Sequence, residues 1–247
     1  MKYYEDMLDK KCFSFKEVER LVGGNYNTAK SLLRQYVQKG YIQQVKKNLY
    51  VAISIESGMP AATRYQIASS ITPTSYVSHR AAFEYYGYTN QVSYEMNVSS
   101  NTAFGDFEFE GINYTYISSR LSEGIIEQQG VRVTDLERTT VDYIGDFDHI
   151  GGLEELLRSL EMISFLSEEK LLGYLELSGK AVLYQKVGYI LEHFKDSLKL
   201  SDYFFEECCQ RKGKSKRYFT KSLNQNHTVY NRRWGMMVPE NLLHFSE

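Results

Sequence analysis

The sequence predicts an α+β fold, in which a small N-terminal domain precedes a larger mixed α/β domain with a helical end. Apolar residues recur at helical spacing before Gly40 and alternate at strand spacing directly after it. Alternation returns between residues 92 and 117, and leucine stripes at helical spacing run from residue 153 onward. We therefore predict one domain over residues 1–55 and another over 56–247, mixed to about residue 150 and mainly helical, with a basic tail, after it.

A capping box marks the start of the first predicted helix. Ser14 is the N-cap, Glu17 is its reciprocal partner, and Phe13 and Val18 are spaced to pack across the cap. Two glycines at 23–24 end this helix.

The second helix is predicted to begin near Asn25 and to stop at Gly40. Its buried stripe is predicted to consist of Ala29, Leu32, Leu33, Tyr36 and Val37. Two short helices joined by a glycine-containing turn form a helix-turn-helix. Strands over 41–45 and 49–53 then form a hairpin, the wing, and Asn48 in its turn is placed for a positive φ angle.

Charge is unevenly distributed, although the net formal charge is only −2. Residues 1–55 contain ten basic and five acidic side chains, residues 56–207 eleven and twenty-four, and residues 208–247 eight and two. A basic head and a basic tail therefore flank an acidic middle. Between Arg20 and Ile55 there is no Asp or Glu.

The polar side of the second helix suits the major groove of DNA, because Lys and Arg contact phosphates or guanine edges and Asn can pair with adenine. Acidic side chains would repel phosphate, which accounts for their absence. The alternatives are a solvated helix face and a protein-binding winged helix, but solvated faces usually mix charges of both signs. The predicted DNA-binding residues of the head are Asn25, Asn27, Thr28, Lys30, Ser31 and Arg34, with Lys46 and Lys47 of the wing on flanking phosphates.

The middle of the chain alternates between helix and strand patterns. The predicted elements are a helix over 61–70, a helix over 79–86 capped by Ser78, a strand over 92–98, and a hairpin over 104–117 that turns at Gly111. Thr134 and Glu137 are spaced as a second capping box, and Arg138 can pair with Asp142 on the helix that follows. The later helices carry buried stripes of Leu153, Leu156, Leu157 and Leu160, and of Leu183, Val187, Ile190, Leu191 and Phe194.

The basic tail interleaves cations with aromatic residues. Its candidate DNA-binding residues are Arg211, Lys212, Lys214, Lys216 and Arg217. The apolar residues Trp234, Met236, Met237, Val238, Leu242 and Leu243 predict that the tail docks on the acidic middle and does not stay disordered. Two destinations for the cations stay open, which are DNA and acidic side chains of the same chain.

Signals for catalysis are weak, and no enzyme activity, metal or cofactor is predicted. Asp106 and Glu108 could share one face of a strand and hold a divalent metal, as in a nuclease or nucleotidyltransferase, but an amphipathic strand explains them better. Glu168 and Lys170 match half of a nuclease motif, but they follow Ser167 as the first turn of a helix would. The histidines, including His227 and His244, have no metal-ligand spacing, and the three cysteines fit neither a disulfide framework nor a zinc site.

We expect a cytoplasmic protein without a membrane partner. No run of about 18 apolar residues is present to span a bilayer. The first eleven residues, MKYYEDMLDKK, carry acids where a signal peptide has its apolar region.

Four segments resemble the AbiEi-type antitoxins of bacterial AbiE abortive-infection systems, which are type IV toxin–antitoxin systems. Residues 47–51 (KNLYV) are similar to the family's Arg-Gly-x-Tyr-Val wing. Residues 78–82 (SHRAA), followed by Gly87, are similar to its Ser-His-x-Ser-Ala helix, and residues 133–142 (VTDLERTTVD) to its Val-Thr-x-x-x-Arg-Thr-x-x-Asp segment. The segment RWGMMVPE at 233–240 also resembles the family.

The resemblance implies a repressor that binds inverted repeats in the promoter of its own operon, as a monomer or weak dimer that is cooperative on DNA. It also implies a C-terminal domain that counters a cognate nucleotidyltransferase toxin in phage defence, without forming a stable complex with it. A plain winged-helix regulator without antitoxin duty is the alternative. Two residues depart from the family: Asn48 replaces a glycine but tolerates its left-handed conformation, and Lys47 replaces an arginine and its bidentate phosphate grip.

Overall fold

The computed structural model describes residues 2–220 and 228–242; His227, Leu243 and His244 lie outside the described residues. Ten helices lie in this part of the chain: α1 (Tyr4–Lys10), α2 (Phe15–Leu21), α3 (Tyr26–Gln38), α4 (Arg64–Ser70), α5 (His79–Tyr85), α6 (Leu136–Asp146), α7 (Gly152–Glu161), α8 (Glu168–Ser178), α9 (Ala181–Glu192) and α10 (Asp202–Arg211). Its strands are β1 (Cys12–Ser14), β2 (Ile42–Lys46), β3 (Leu49–Ala52), β4 (Tyr76–Val77), β5 (Glu95–Ser100), β6 (Phe107–Phe109), β7 (Ile112–Ser118), β8 (Ile125–Gln128), β9 (Val131–Thr134), β10 (Arg217–Tyr218), β11 (Thr228–Asn231) and β12 (Met236–Pro239). The predicted α+β class is confirmed.

The chain forms two compact units, and each is discontinuous in sequence. Unit 1 comprises Met1–Val77, Ser93–Arg120 and Ile126–Val133, and unit 2 comprises Ser78–Val92, Leu121–Ile125 and Thr134–Glu247. The domain boundary near residue 55 falls inside unit 1 and stays a prediction.

The first part of unit 1 has the element order of a winged helix-turn-helix. Residues 22–25 join α2 to α3, and the antiparallel hairpin β2–β3 follows. The sequence patterns do not predict α1 or β1, yet β1 pairs with β3 and completes a three-stranded sheet. Met7, Phe13, Val18, Leu33 and Ile42 belong to the core that these elements share.

The predicted capping box of α2 is confirmed, with both of its hydrogen bonds present. The Glu17 backbone N–H donates to Ser14 Oγ over 3.3 Å, and the Ser14 backbone N–H donates to Glu17 Oε2 over 2.8 Å. Burial opposes ionisation of Glu17, but the hydrogen bonds from Ser14 and the charge of Lys10 outweigh it and lower its pKa.

We expect Ser14→Ala to lower the free energy of unfolding by about 1 kcal/mol at neutral pH, because α2 loses a capping hydrogen bond. The folded-state pKa of Glu17 is depressed, so its part of this stability is present above its unfolded pKa and is lost as pH falls through the folded value. Urea unfolding near pH 7 and again near pH 3 measures both effects. Ser215→Ala, at an exposed position, is the control. If the destabilisation caused by Ser14→Ala were larger near pH 3 than near pH 7, the capping role of the Ser14–Glu17 pair would be contradicted.

The buried stripe of α3 is correct at three positions and wrong at one. Ala29, Leu33 and Tyr36 are buried and Leu32 is half-buried, but Val37 is 42% exposed. Val37 lies in the last turn of α3, which ends at Gln38, and Gly40 follows with a φ of +70°. The buried stripe therefore does not extend to the last turn of the helix.

The rest of unit 1 centres on a six-stranded sheet with the order β6-β7-β5-β4-β9-β8. The predicted hairpin is confirmed as β6–β7, with Glu110 and Gly111 in its turn, both at positive φ. The strand predicted over 92–98 is shifted, because β5 begins at Glu95 and Val92 is exposed. The helix predicted over 61–70 begins only at Arg64, where Thr63 and Gln66 form a capping box.

Unit 2 is built mainly from α5 to α10. Both predicted stripes of the later helices are buried in one core, which confirms their helical spacing. The predicted capping box of α6 is wrong in its residues: Asp135, not Thr134, is the N-cap and accepts from the Arg138 backbone N–H over 2.9 Å. The Glu137 carboxylate instead accepts from the Ser167 backbone N–H over 2.9 Å.

A small sheet of β10, β12 and β11, in that order, ends unit 2 and is called the C-terminal sheet below. Trp234 lies in the turn between β11 and β12 and is fully buried, with Met236, Val238 and Leu242 also buried in the core of unit 2. The Trp234 indole N–H donates to Glu192 of α9 over 2.7 Å. The prediction that the tail docks on the acidic middle is thus confirmed for these residues.

Candidate nucleic-acid interface

The start of α3 is fixed by Asn25, whose side-chain oxygen accepts from the Thr28 backbone N–H over 2.9 Å. The first turn of the helix contains no acidic side chain. Tyr26 follows the cap, is 56% exposed, and packs its ring against Phe15 at a centroid distance of 5.0 Å. Tyr26 is not among the interface residues predicted from the sequence. It is the first residue of α3 and lies outside the apolar stripe, so the helical pattern did not draw attention to it.

The predicted groove residues lie on one exposed stripe of α3. Spacings of three and four residues place them on the side of the helix opposite to its buried residues. This exposed polar stripe consists of Asn27, Thr28, Lys30, Ser31 and Arg34. Among the described residues, none forms an ion pair with Lys30 or Arg34, so both cations are available to a partner.

The turn of the wing has the predicted backbone. Asn48 has a φ of +66°, the left-handed conformation that Asn tolerates. Its carbonyl accepts from the Phe15 backbone N–H over 3.0 Å, which fixes the turn against the start of α2. Lys47 at the tip is exposed.

Lys46, unlike the exposed Lys47, is half-buried. Its ammonium lies 4.7 Å from the ring centroid of Phe104 and 4.9 Å from that of Phe107. Burial lowers the pKa of Lys46. The phosphate contact expected of Lys46 stays a prediction, but its side chain also packs the wing against Phe104 and Phe107, and a 2.8 Å hydrogen bond joins Gln43 of the wing to Glu110.

One of the five cations of the tail pairs with acids of the same chain, and whether any of the five contacts DNA stays a prediction. Arg211 pairs with Glu207 at 2.8 Å and with Glu176 at 3.4 Å, both in unit 2. Lys212 donates to the backbone carbonyl of Arg233. The remaining three, Lys214, Lys216 and Arg217, are exposed, and no described residue forms an ion pair with them.

Two of the residues weighed as catalytic, Asp106 and Glu168, accept hydrogen bonds within the fold. Asp106 accepts from the Tyr116 backbone N–H over 2.8 Å, while Phe107 and Phe109 turn inward between the exposed acids. Glu168 lies in the first turn of α8 and accepts from the Ser201 hydroxyl over 3.0 Å. Within residues 2–220 and 228–242, no three His, Cys, Asp or Glu side chains cluster as metal ligands.

Two buried arginines of unit 2, Arg80 and Arg138, lie in segments that resemble the family. Arg80 of α5 pairs with Glu84 at 3.4 Å and with Glu155. Arg138 pairs with Asp142 at 2.7 Å, as predicted, and donates to the Glu123 carbonyl over 2.8 Å.

The acids beside these arginines have partners of their own. Asp135 accepts from Lys170 over 3.0 Å and from the Tyr174 hydroxyl over 2.7 Å. His79 is a hydrogen-bonding residue, with Nδ1 2.9 Å from the Ser78 hydroxyl and Nε2 3.4 Å from Asp146. Ser78 precedes α5 but does not cap it through its side chain.

The fold is similar to that of a solved protein, RV2827C from Mycobacterium tuberculosis. The two structures align with a TM-score of 0.62 at 13% sequence identity, over 96% of this chain and 89% of the other. At this identity the similarity is one of fold alone. No protein-family model and no curated protein matches the sequence. Among the described helices, none combines the length and apolar character that crossing a bilayer requires.

Proposed function

We propose that the protein binds duplex DNA through α3 and the wing and represses transcription of its own operon. The observation that carries this proposal is the exposed polar stripe of α3, on which Lys30 and Arg34 have no acidic partner among the described residues. A second helix of a helix-turn-helix reads base edges with the residues of its N-terminal part. Asn27, Lys30 and Ser31 occupy that part of α3.

Lys47 and Lys46 have different roles in this proposal. Lys47, exposed at the tip of the wing, contacts a flanking phosphate. Lys46 holds the wing in place, because its ammonium rests on two aromatic rings. The interface thus takes its phosphate contacts from Lys47 and from the cations of α3.

Binding to promoter DNA should depend steeply on salt. If Lys47, Lys30 and Arg34 each neutralise one phosphate, the slope of log K against log [salt] is about −3. Lys47→Ala should reduce that slope by about 1, because it removes one phosphate contact, whereas Lys46→Ala should leave it unchanged. Fluorescence anisotropy of a labelled promoter duplex over a range of salt concentrations measures this. A slope near zero would reject the electrostatic interface.

The antitoxin role is the further part of the proposal, and it rests on the family resemblance. Three of the four resembling segments lie in unit 2: 78–82, 233–240, and 133–142 apart from Val133. The first and the last of these contain Arg80 and Arg138, which are buried and paired with acids. We propose that unit 2 opposes the product of a neighbouring nucleotidyltransferase gene, while the stripe on α3 serves repression.

Co-expression separates these two activities. The full chain carrying Lys30→Ala and Arg34→Ala, expressed from an unrelated promoter, should still protect cells from the neighbouring gene product. The same variant should fail to repress a reporter driven by the operon's own promoter. Loss of repression without any protection by the unaltered chain would favour a plain regulator.

A further inference from the structure

We propose that the outer face of the C-terminal sheet binds single-stranded nucleic acid. This face carries two exposed tyrosines in one row across the sheet and cations beside them. Its strands belong to unit 2, whereas α3 and the wing belong to unit 1. The proposal goes beyond the DNA-binding function proposed above and does not depend on it.

The strand register places the tyrosines on one face. Tyr218 of β10 pairs with Met237 of β12, and Met237 pairs with Tyr230 of β11. Residues directly opposite one another on neighbouring strands point to the same side of a sheet. Tyr218 is 60% exposed and Tyr230 is 49% exposed, with Met237 half-buried between them.

The opposite face of the sheet is anchored, so the tyrosine row has a fixed position. Met236 and Val238, which flank Met237 along β12, are buried in the core of unit 2. Trp234 continues this anchor, and its carbonyl accepts from the Gln185 side chain over 2.8 Å. An aromatic row on a rigid strand scaffold costs little conformational entropy when a base stacks on it.

Charge around the row matches a phosphate backbone. Residues 212–242 contain a single acid, Glu240. Lys214, Lys216 and Arg232 are exposed and form no ion pair with a described residue. The Lys216 ammonium lies 5.3 Å from the centroid of the Tyr230 ring, so a cation and a stacking surface stand side by side.

The aromatic row favours a single strand over a duplex. Tyr218 and Tyr230 stand on the two outer strands, which the spacing of strands in a sheet puts about 10 Å apart. Unpaired bases can be splayed to stack on separate rings, whereas a duplex keeps its base faces inside the helix. Lys and Arg bind the phosphates of single strands and duplexes alike, but the exposed faces of the tyrosine rings can stack only on unpaired bases.

The test uses the full chain carrying Lys30→Ala and Arg34→Ala, in which the proposed duplex interface is disabled. Anisotropy with labelled oligouridine and oligothymidine of about 12 nucleotides, a length within the range of known single-strand sites, measures binding. We expect binding to one or both strands, and weaker binding to a duplex of equal length. Tyr218→Ala and Tyr230→Ala should each weaken single-strand binding about tenfold, since each removes one stacking surface.

Two control variants make the result specific. Tyr218→Phe and Tyr230→Phe keep the ring and should retain most of the affinity. Tyr203→Ala removes an equally exposed tyrosine from α10, outside the sheet, and should have no effect. The proposal is overturned if the chain binds no single strand, if it binds the duplex as tightly, or if both tyrosine-to-alanine variants bind like their parent. None of these outcomes bears on the role of α3.

Discussion

Replacing Lys30 or Arg34 with alanine is expected to weaken binding to the operon's promoter about tenfold to a hundredfold per substitution. A contact from either side chain to a base edge is worth about 1–3 kcal/mol, and 1.4 kcal/mol corresponds to a factor of ten. Both side chains are exposed on α3 and have no acidic partner among the described residues, so neither substitution removes an interaction that stabilises the fold. The loss should therefore appear in affinity and not in stability.

The pattern of loss distinguishes base recognition from phosphate contact. A residue that reads a base weakens binding to the promoter more than binding to unrelated DNA, whereas a phosphate contact weakens both alike. Gel-shift or anisotropy titrations with the two duplexes measure this difference. Arg120→Ala makes the same charge change at an exposed site of unit 1 outside α3 and the wing, and it should bind like the unaltered chain. If both Lys30→Ala and Arg34→Ala also bind like it, the interface lies elsewhere.

Three parts of the head, α2, α3 and the wing, could be predicted because their signals are local. The capping box of α2 needs only residues three apart, and the turn of the wing needs only one residue that tolerates positive φ. The exposed stripe of α3 follows from helical spacing in the same way. Val37 is the exception, since its exposure depends on where the last turn ends relative to its neighbours.

The role of Lys46 could not be predicted, because its partners are distant in sequence. Phe104 and Phe107 lie more than fifty positions further along the chain, and the fold alone brings their rings to the ammonium. In the sequence, Lys46 and Lys47 look equivalent at the tip of a hairpin. An interface predicted from charge alone therefore includes cations that also contact other residues of the same chain. Arg211 is a second example, since it pairs with Glu176 and Glu207.

The short strands and the discontinuous units could not be predicted either, because both depend on contacts between residues that are distant in the sequence. β4 has two residues and β1 has three, too few to show alternation, and both are defined by pairing with other strands. The compact units combine segments from separate parts of the chain. The C-terminal sheet shows the same limit: its cations and aromatics are visible in sequence, but the row of Tyr218 and Tyr230 exists only through the strand register.

Trp234→Ala is expected to lower the free energy of unfolding by about 3–5 kcal/mol, the usual cost of truncating a large buried aromatic side chain. Trp234 is fully buried, packs edge-on against Phe205 at 6.4 Å, and donates its indole N–H to Glu192. Because most domains are stable by only about 5–15 kcal/mol, this loss would leave the variant marginal. Urea unfolding followed by far-UV circular dichroism measures it. Exposed Tyr203→Ala is the control, and an unchanged midpoint for Trp234→Ala would contradict the packing.

A substitution at Gly188 tests the packing of Trp234 against α9. It lies in the middle of α9, and a Cβ added there would stand 2.0 Å from Cζ3 and 2.1 Å from Cη2 of Trp234. Alanine is favoured over glycine inside a helix by about 1 kcal/mol, so a destabilised Gly188→Ala variant would report the clash and not helix propensity. In the double variant with Trp234→Ala, the added methyl enters the space that the indole vacates, and the total cost should be smaller than the sum of the two single costs. Strict additivity would mean that these two residues do not share space, and the anchoring of the C-terminal sheet through Trp234 would then be wrong.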